Sequence, residues 1–332
     1  MLIVLNSAFV LAGMAMLYYG GASLVGGAGG IALNLRIPPL IVGLTVVAFG
    51  TSAPELFVSV LSALQGKMGV SLGNVIGSNV VNVALILGVA ALAYPSDVHR
   101  SVIAADMPVM FGTYLVFGLT AIGWGTVPFW IGGTIGRLEG AAMIALLLMY
   151  VYTLYRRSRG NKAEAAAVVG AAPSEKDKGR PLWLDAVLVV LGIALLALGA
   201  ESMVRGASWL AANVFGASER FIGIAIVAFG TSLPELFTTI ASIITGEMDI
   251  SVGNIIGSNI FNSLMVLGAT SAVRPIVVGG TDFSTDFLVM VGVSALLYLF
   301  LLARRRVPRW GGGVFLAVYV GYVVVLTATR AA

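Results

Sequence analysis

Glu55 and Glu235 stand 180 residues apart, and each follows the same string of residues. Gly50-Thr51-Ser52-Ala53-Pro54-Glu55-Leu56-Phe57 matches Gly230-Thr231-Ser232-Leu233-Pro234-Glu235-Leu236-Phe237. A carboxylate beside two hydroxyls is a set of hard oxygen donors. Proline adds to it, because the ring lacks an N–H and clashes with the carbonyl four residues back, here Gly50 or Gly230. The helix is expected to kink or unwind around 50–54 and 230–234. That turns carbonyls of Ala48, Gly50 and Thr51, and of Ala228, Gly230 and Thr231, toward an ion. A second string is also doubled, with Gly73-Asn74-Val75-Ile76-Gly77-Ser78-Asn79 matching Gly253-Asn254-Ile255-Ile256-Gly257-Ser258-Asn259. Ser78 and Asn82 lie four apart on one helix face, as do Ser258 and Asn262. These donors suit Na+, Ca2+ or Mg2+ and disfavour zinc or copper. The chain has no Cys and the single histidine His99, which excludes thiolate sites, disulfides and histidine metal clusters.

Such a set must be carried by elements that bury it. Of 332 residues, 59% are hydrophobic and 10% charged, whereas soluble domains carry about 25% charged residues. The chain cannot cover a water-facing surface, so a soluble enzyme, a nucleic-acid binder and a disordered chain are excluded. Apolar runs near the length of a bilayer span recur throughout, the mark of a polytopic helical membrane protein. Ten spans are expected, at about 2–33, 38–66, 69–94, 103–123, 138–157, 183–214, 219–246, 249–272, 283–304 and 310–329. The uncharged first stretch lacks a basic leading segment and is expected to be a retained helix, not a removable signal. Residues 158–182, rich in Ala, Lys, Glu and Ser, form the one plausible linker. Lys and Arg set the orientation. With the N-terminus outside, 13 of them fall on the inner side and 5 on the outer, with Arg205 inside a helix. Both termini are therefore expected to be extracellular and the linker cytoplasmic.

Residues 43–90 and 223–270 align without gaps, with 24 of 48 positions identical. Asp106 and Asp286 continue the offset. Each copy holds five helices. Five is odd, so the second copy enters the membrane from the other side and the repeats are inverted. Secondary transporters are built in this way, with the site near the midplane. The expected fold is therefore all-α and polytopic, ten transmembrane helices as two inverted repeats with broken second and seventh helices. The expected divisions are 1–157, the linker 158–182, and 183–332.

Glu55 and Glu235 each fall near the middle of a span, where a carboxylate costs roughly 2.5–3.5 kcal/mol on insertion scales. No Lys or Arg lies within ten residues of either glutamate. Protonation or a bound cation relieves the cost, and one divalent ion neutralises two carboxylates. Gly73, Gly77, Gly253 and Gly257 permit close helix approach. Asn74, Asn79, Asn254 and Asn259 are expected to bridge helices, and Asp106 and Asp286 to cap helix N-termini.

The two segments resemble the paired alpha repeats of the cation/calcium exchanger superfamily, most closely its sodium/calcium exchanger family. The ten-helix layout and Ile135-Gly136-Arg137-Leu138-Glu139-Gly140 before the fifth helix fit the same family. The resemblance implies that Glu55 and Glu235 bind Ca2+ and share Na+. It implies Na+ ligands at Thr51, Ser52 and Ser78 in one half, and at Thr231, Ser232 and Ser258 in the other. It also implies backbone ligands at Ala48 and Ala228, and a central polar pair at Asn82 and Asn262. Some members carry Asp at one position of that pair. Here both are Asn, which leaves two acidic groups in the core. Some first helices of the family are acidic near Ala22–Ser23, and this one is not. The linker is too short for the large regulatory domain of animal members.

The expected function is secondary-active exchange of Na+ for Ca2+ by alternating access across the cell membrane, with the ions as cargo and no prosthetic group. No nucleic acid and no obligate protein partner is implied, only the bilayer and the two ions. A proton/calcium exchanger with the same glutamates titrating is the alternative; the hydroxyl-rich flanks favour Na+, since protons need no cage. A passive channel is disfavoured by the paired broken helices. A serine hydrolase using Ser52 or Ser232 lacks an intramembrane His or Lys to activate the serine, so no enzyme activity is expected.

Overall fold

A computed structural model describes residues 2–35, 37–95, 97–122, 133–160, 180–214, 228–278 and 281–329. Its helices are α1 (Leu2–Leu35), α2 (Pro39–Thr51), α3 (Ala53–Leu64), α4 (Met68–Ala93), α5 (Val102–Ala121), α6 (Arg137–Gly160) and α7 (Leu182–Asn213). They continue as α8 (Ala228–Thr231), α9 (Leu233–Thr245), α10 (Met248–Val273), α11 (Thr281–Arg304) and α12 (Arg309–Thr329). Eight of the described helices are long and apolar enough to cross a membrane, and α2 with α3 makes a ninth span. Of the expected seventh span, residues 219–227 lie outside the described residues, as do most of the linker 158–182 and Arg36. The remaining spans lie within about three residues of their expected bounds.

Local chemistry sets the ends. Pro39 opens α2, where its missing N–H costs no helical bond. Beyond α3 and α9, Gly66 and Gly246 turn left-handed, at φ 80 and 78, a conformation open to glycine without a Cβ clash. Large apolar side chains face outward, Leu138 at 84% and Val4 at 72% exposure, as a lipid-contacting surface requires. An antiparallel pairing of β1 (Thr134–Ile135) with β2 (Ile276–Val277) is the sheet among the described residues, outside the spans.

The chain divides into two compact units that cut across the sequence repeats. The first comprises Met1–Thr51 and Thr153–Asn254. Its spine is the antiparallel pair α1 and α7, which cross at glycines spaced by seven: Gly13, Gly20 and Gly27 against Gly192, Gly199 and Gly206. A Cβ at Gly13 would lie 2.7 Å from the Gly199 carbonyl, and one at Gly192 would lie 2.6 Å from the Leu24 amide. Small residues thus let the two backbones touch. Leu17, Leu24, Val25 and Ala28 on α1 pack with Val189 and Leu196 on α7, and Leu233, Ala241 and Ile250 join this core. Buried Asp185 locks the end of the pair. It lies 3.3 Å from the Arg180 guanidinium and accepts a 2.8 Å bond from the Asn34 amide, packed on the bare backbone of Gly30. Elsewhere in this unit Gly43 meets the Ile250 carbonyl and Gly253 the Leu40 carbonyl, so α2 and the start of α10 are in backbone contact.

The second unit comprises Ser52–Tyr152 and Ile255–Ala332. Here α4 meets α12 at Gly88 and Gly312, while α10 meets α6 at Gly268 and Gly140. Gly88 and Gly268 are equivalent under the offset of the repeats. Asp106 makes no side-chain cap bond, and Asp286 lies inside α11 and not at its start. Instead they accept hydroxyl hydrogen bonds from Tyr150 of α6 (3.3 Å) and Tyr322 of α12 (3.0 Å). Asp106 is 1% exposed. A buried carboxylate gains more from an O–H donor than from helix ends already bonded within the helix.

Candidate cation site

The two glutamates occupy equivalent local settings. Ser52 alone separates α2 from α3, with φ −81 and ψ 4, and Ser232 alone separates α8 from α9, with φ −90 and ψ 8. The expected unwinding across 50–54 therefore contracts to one residue. Pro54 and Pro234 sit in the first turn of the following helix, where no backbone donor is needed, so the helix restarts at once. Glu55 and Glu235 are each the third residue of that restarted helix, and both are fully buried.

In the first unit, Thr231, Ser232 and Glu235 are buried together on α8 and α9. Below them α9 buries Thr238, Thr239 and Ser242, one polar face at helical spacing. These three hydroxyls are not among the residues expected from the sequence, although their spacing from Glu235 is visible in the chain. On α2, Thr51 donates 3.0 Å to Asn254 Oδ1 of α10 and approaches the Ala48 carbonyl at 3.4 Å. The Ala48 carbonyl thus faces a hydroxyl at the broken end of α2. The Ala228 side chain lies outside the described residues.

In the second unit, Ser78 of α4 donates 3.3 Å to Glu55 Oε1. Asn74 of α4 donates to the Glu55 carbonyl (3.0 Å) and to Ser59 Oγ (2.9 Å), tying α4 to α3 around the carboxylate. Ser52 and Ser258 are fully buried. Asn82 donates 3.0 Å to Asn259 Oδ1, and Asn262 donates 3.2 Å to Asn79 Oδ1. The two bonds are equivalent under the repeat offset. Each runs between α4 and α10; with Asn74 bonded to α3 and Asn254 to α2, the asparagines at 74, 79, 254 and 259 all bridge helices. The π-helical stretches Val81–Ile86 and Asn262–Val266 include Asn82 and Asn262, an irregularity that clusters at functional sites. No sequence signal marks the π turns.

Among the described residues no three of His, Cys, Asp and Glu converge. The Ser78 hydroxyl and the Asn74 amide lie at Glu55, and the buried polar groups that accompany Glu235 on α8 and α9 are hydroxyls, oxygen chemistry suited to hard cations.

Comparison with known proteins agrees with this geometry. The chain is 35% identical over 326 residues to the inner membrane protein YrbG of Escherichia coli (strain K12), covering 96% of this chain and 95% of the relative. It is 29% identical to the sodium/calcium exchanger MaX1 of Methanosarcina acetivorans, over 98% of this chain and 99% of the relative. The solved structure of the sodium-calcium exchanger NCX_Mj soaked with 10 mM Na+ and zero Ca2+ matches with TM-score 0.80 and 28% identity, over 98% of this chain and 99% of that one. The pattern that defines the sodium/calcium exchanger proteins matches residues 5–156 and 184–328. With both halves matched and the fold shared, the chain is an integral multi-pass membrane protein that belongs to the sodium/calcium exchanger protein family.

Proposed function

We propose that the chain exchanges Na+ for Ca2+ by alternating access, with Glu55 and Glu235 serving both ions in turn. The observation that carries this is the complete burial of both carboxylates, each in the first turn of a helix restarted after one broken residue. Thr51, Ser52, Ser78 and Asn82, with Thr231, Ser232, Ser258 and Asn262, are the proposed side-chain ligands, and Ala48 and Ala228 the backbone ligands. Two carboxylates carry two negative charges. One Ca2+ cancels them, and three Na+ leave one positive charge spread over several small sites. The loaded states are cheap to occlude in a low-dielectric core and the empty state is costly, so the carrier rarely returns empty. The sequence divisions 1–157, 158–182 and 183–332 are proposed as two inverted repeats and a cytoplasmic linker. The lysine and arginine bias supports extracellular termini in the cell membrane.

The test is 45Ca2+ uptake into proteoliposomes holding the purified chain. Uptake is expected only with an outward Na+ gradient. Equal uptake on a pH gradient without Na+ would replace this mechanism with proton/calcium exchange, and Ca2+ leak without counter-ion would replace it with a channel.

A further inference from the structure

Asn82 and Asn262, fully buried, each have an amide oxygen with no hydrogen-bond partner among the described residues. A buried amide oxygen without a donor calls for an explanation. Its orientation is fixed from behind. Asn259 directs its amide nitrogen at the Tyr114 hydroxyl (3.2 Å) and at the Asn79 backbone carbonyl (3.5 Å). A backbone carbonyl only accepts, so this end of Asn259 must be its NH2. Its oxygen therefore meets the Asn82 NH2 at 3.0 Å. Asn79 repeats the arrangement. Its NH2 faces Ser263 Oγ (3.1 Å) and the acceptor-only sulfur of Met290 (3.3 Å), so its oxygen meets the Asn262 NH2 at 3.2 Å. Tyr114 is in turn held by Ser294 at 3.3 Å. Each outer asparagine thus fixes which end of an inner asparagine is oxygen.

We propose that Asn79 and Asn259 are positioning residues that hold the amide oxygens of Asn262 and Asn82 outward as neutral cation ligands. This rests on the exchange function proposed above. A neutral amide has two unlike ends, and a flipped one presents hydrogens to the cation. A chain with asparagine at both positions therefore needs an orienting acceptor behind each. A carboxylate has two like ends and needs none.

The test is equilibrium 45Ca2+ binding to the purified full chain, with Na+ competition. Asn79→Leu and Asn259→Leu are each expected to weaken Ca2+ binding about tenfold, the scale of one oriented hydrogen bond. Asn79→Asp keeps the acceptor, and the Ser263 hydroxyl can turn to donate to it, so it is expected to restore most of that loss. In an Asn262→Asp background Asn79→Leu is expected to cost less than about threefold, because either end of the new side chain is oxygen. The same holds for Asn259→Leu in an Asn82→Asp background. Equal losses in both backgrounds, whether from misfolding or from a purely structural role, would overturn the proposal, as would an unaffected Asn79→Leu. Failure of the unaltered chain to bind Ca2+ or Na+ would instead remove the exchange function itself.

Discussion

Gly26 and Gly27 are neighbours on α1 with opposite surroundings, which makes their alanine variants a measurement of the α1–α7 crossing. A Cβ at Gly27 would lie 2.7 Å from the Asp185 carbonyl, 2.9 Å from the Val189 amide and 3.0 Å from Leu188 Cβ, whereas one at Gly26 meets nothing within 4 Å. Two of the three contacts at Gly27 are backbone and cannot rotate away. Ordinary contact distances then require the helices to part by roughly 1 Å. Overpacking of this kind costs about 1–3 kcal/mol. Both substitutions gain the same helix propensity, about 1 kcal/mol, so their difference isolates the clash. At roughly 2 °C per kcal/mol for a chain of this size, Gly27→Ala should melt about 2–6 °C below Gly26→Ala in detergent micelles. Gly26→Ala should melt at or slightly above the unaltered chain. Equal melting temperatures, or the reverse order, would refute backbone contact at the crossing.

Glu55→Gln and Glu235→Gln should each reduce Na+-driven 45Ca2+ uptake at least about a hundredfold, taking about 3 kcal/mol for a charged oxygen ligand. Glu139→Gln, exposed in the first turn of α6, should leave uptake unchanged; equal losses at all three positions would point to general charge effects. Gly21→Ala places a methyl 2.9 Å from the Phe237 carbonyl, two residues past Glu235. It should alter Ca2+ affinity as well as rate, and a change in melting temperature alone would show that the contact is merely structural. Tyr322→Phe removes the hydroxyl given to Asp286 and should lower stability by about 1–2 kcal/mol, read as the shift in thermal midpoint; no shift would mean that water replaces it. Arg274→Ala frees the Leu64 carbonyl, now bonded at 2.7 Å at an exposed site, and should cost less than about 1 kcal/mol by the same measure.

Much of the molecule was legible from local signals. The bilayer allows a spanning segment little but helix, so apolar runs and Pro, Gly and Arg boundaries place the described spans closely. The doubled Gly-Thr-Ser-x-Pro-Glu string located the broken helices and both buried carboxylates. It overstated the break, because proline in a first turn permits a helix to resume after Ser52 without further unwinding. The glycines at 13, 20 and 27 and at 192, 199 and 206 were in plain view. Nothing local says which helix they face.

The sequence alone determined the membrane class, the inverted duplication and the position of the two acids, because hydropathy, span parity and proline chemistry act along the chain. Tertiary structure alone decided which polar groups meet. Asp106 finds Tyr150 and not its own helix end, Asn82 finds Asn259, and Thr51 finds Asn254. The physical reason is that a buried polar group must find its partner wherever packing brings one. That partner stands 44, 177 or 203 residues away in these three cases, a separation that no local pattern encodes.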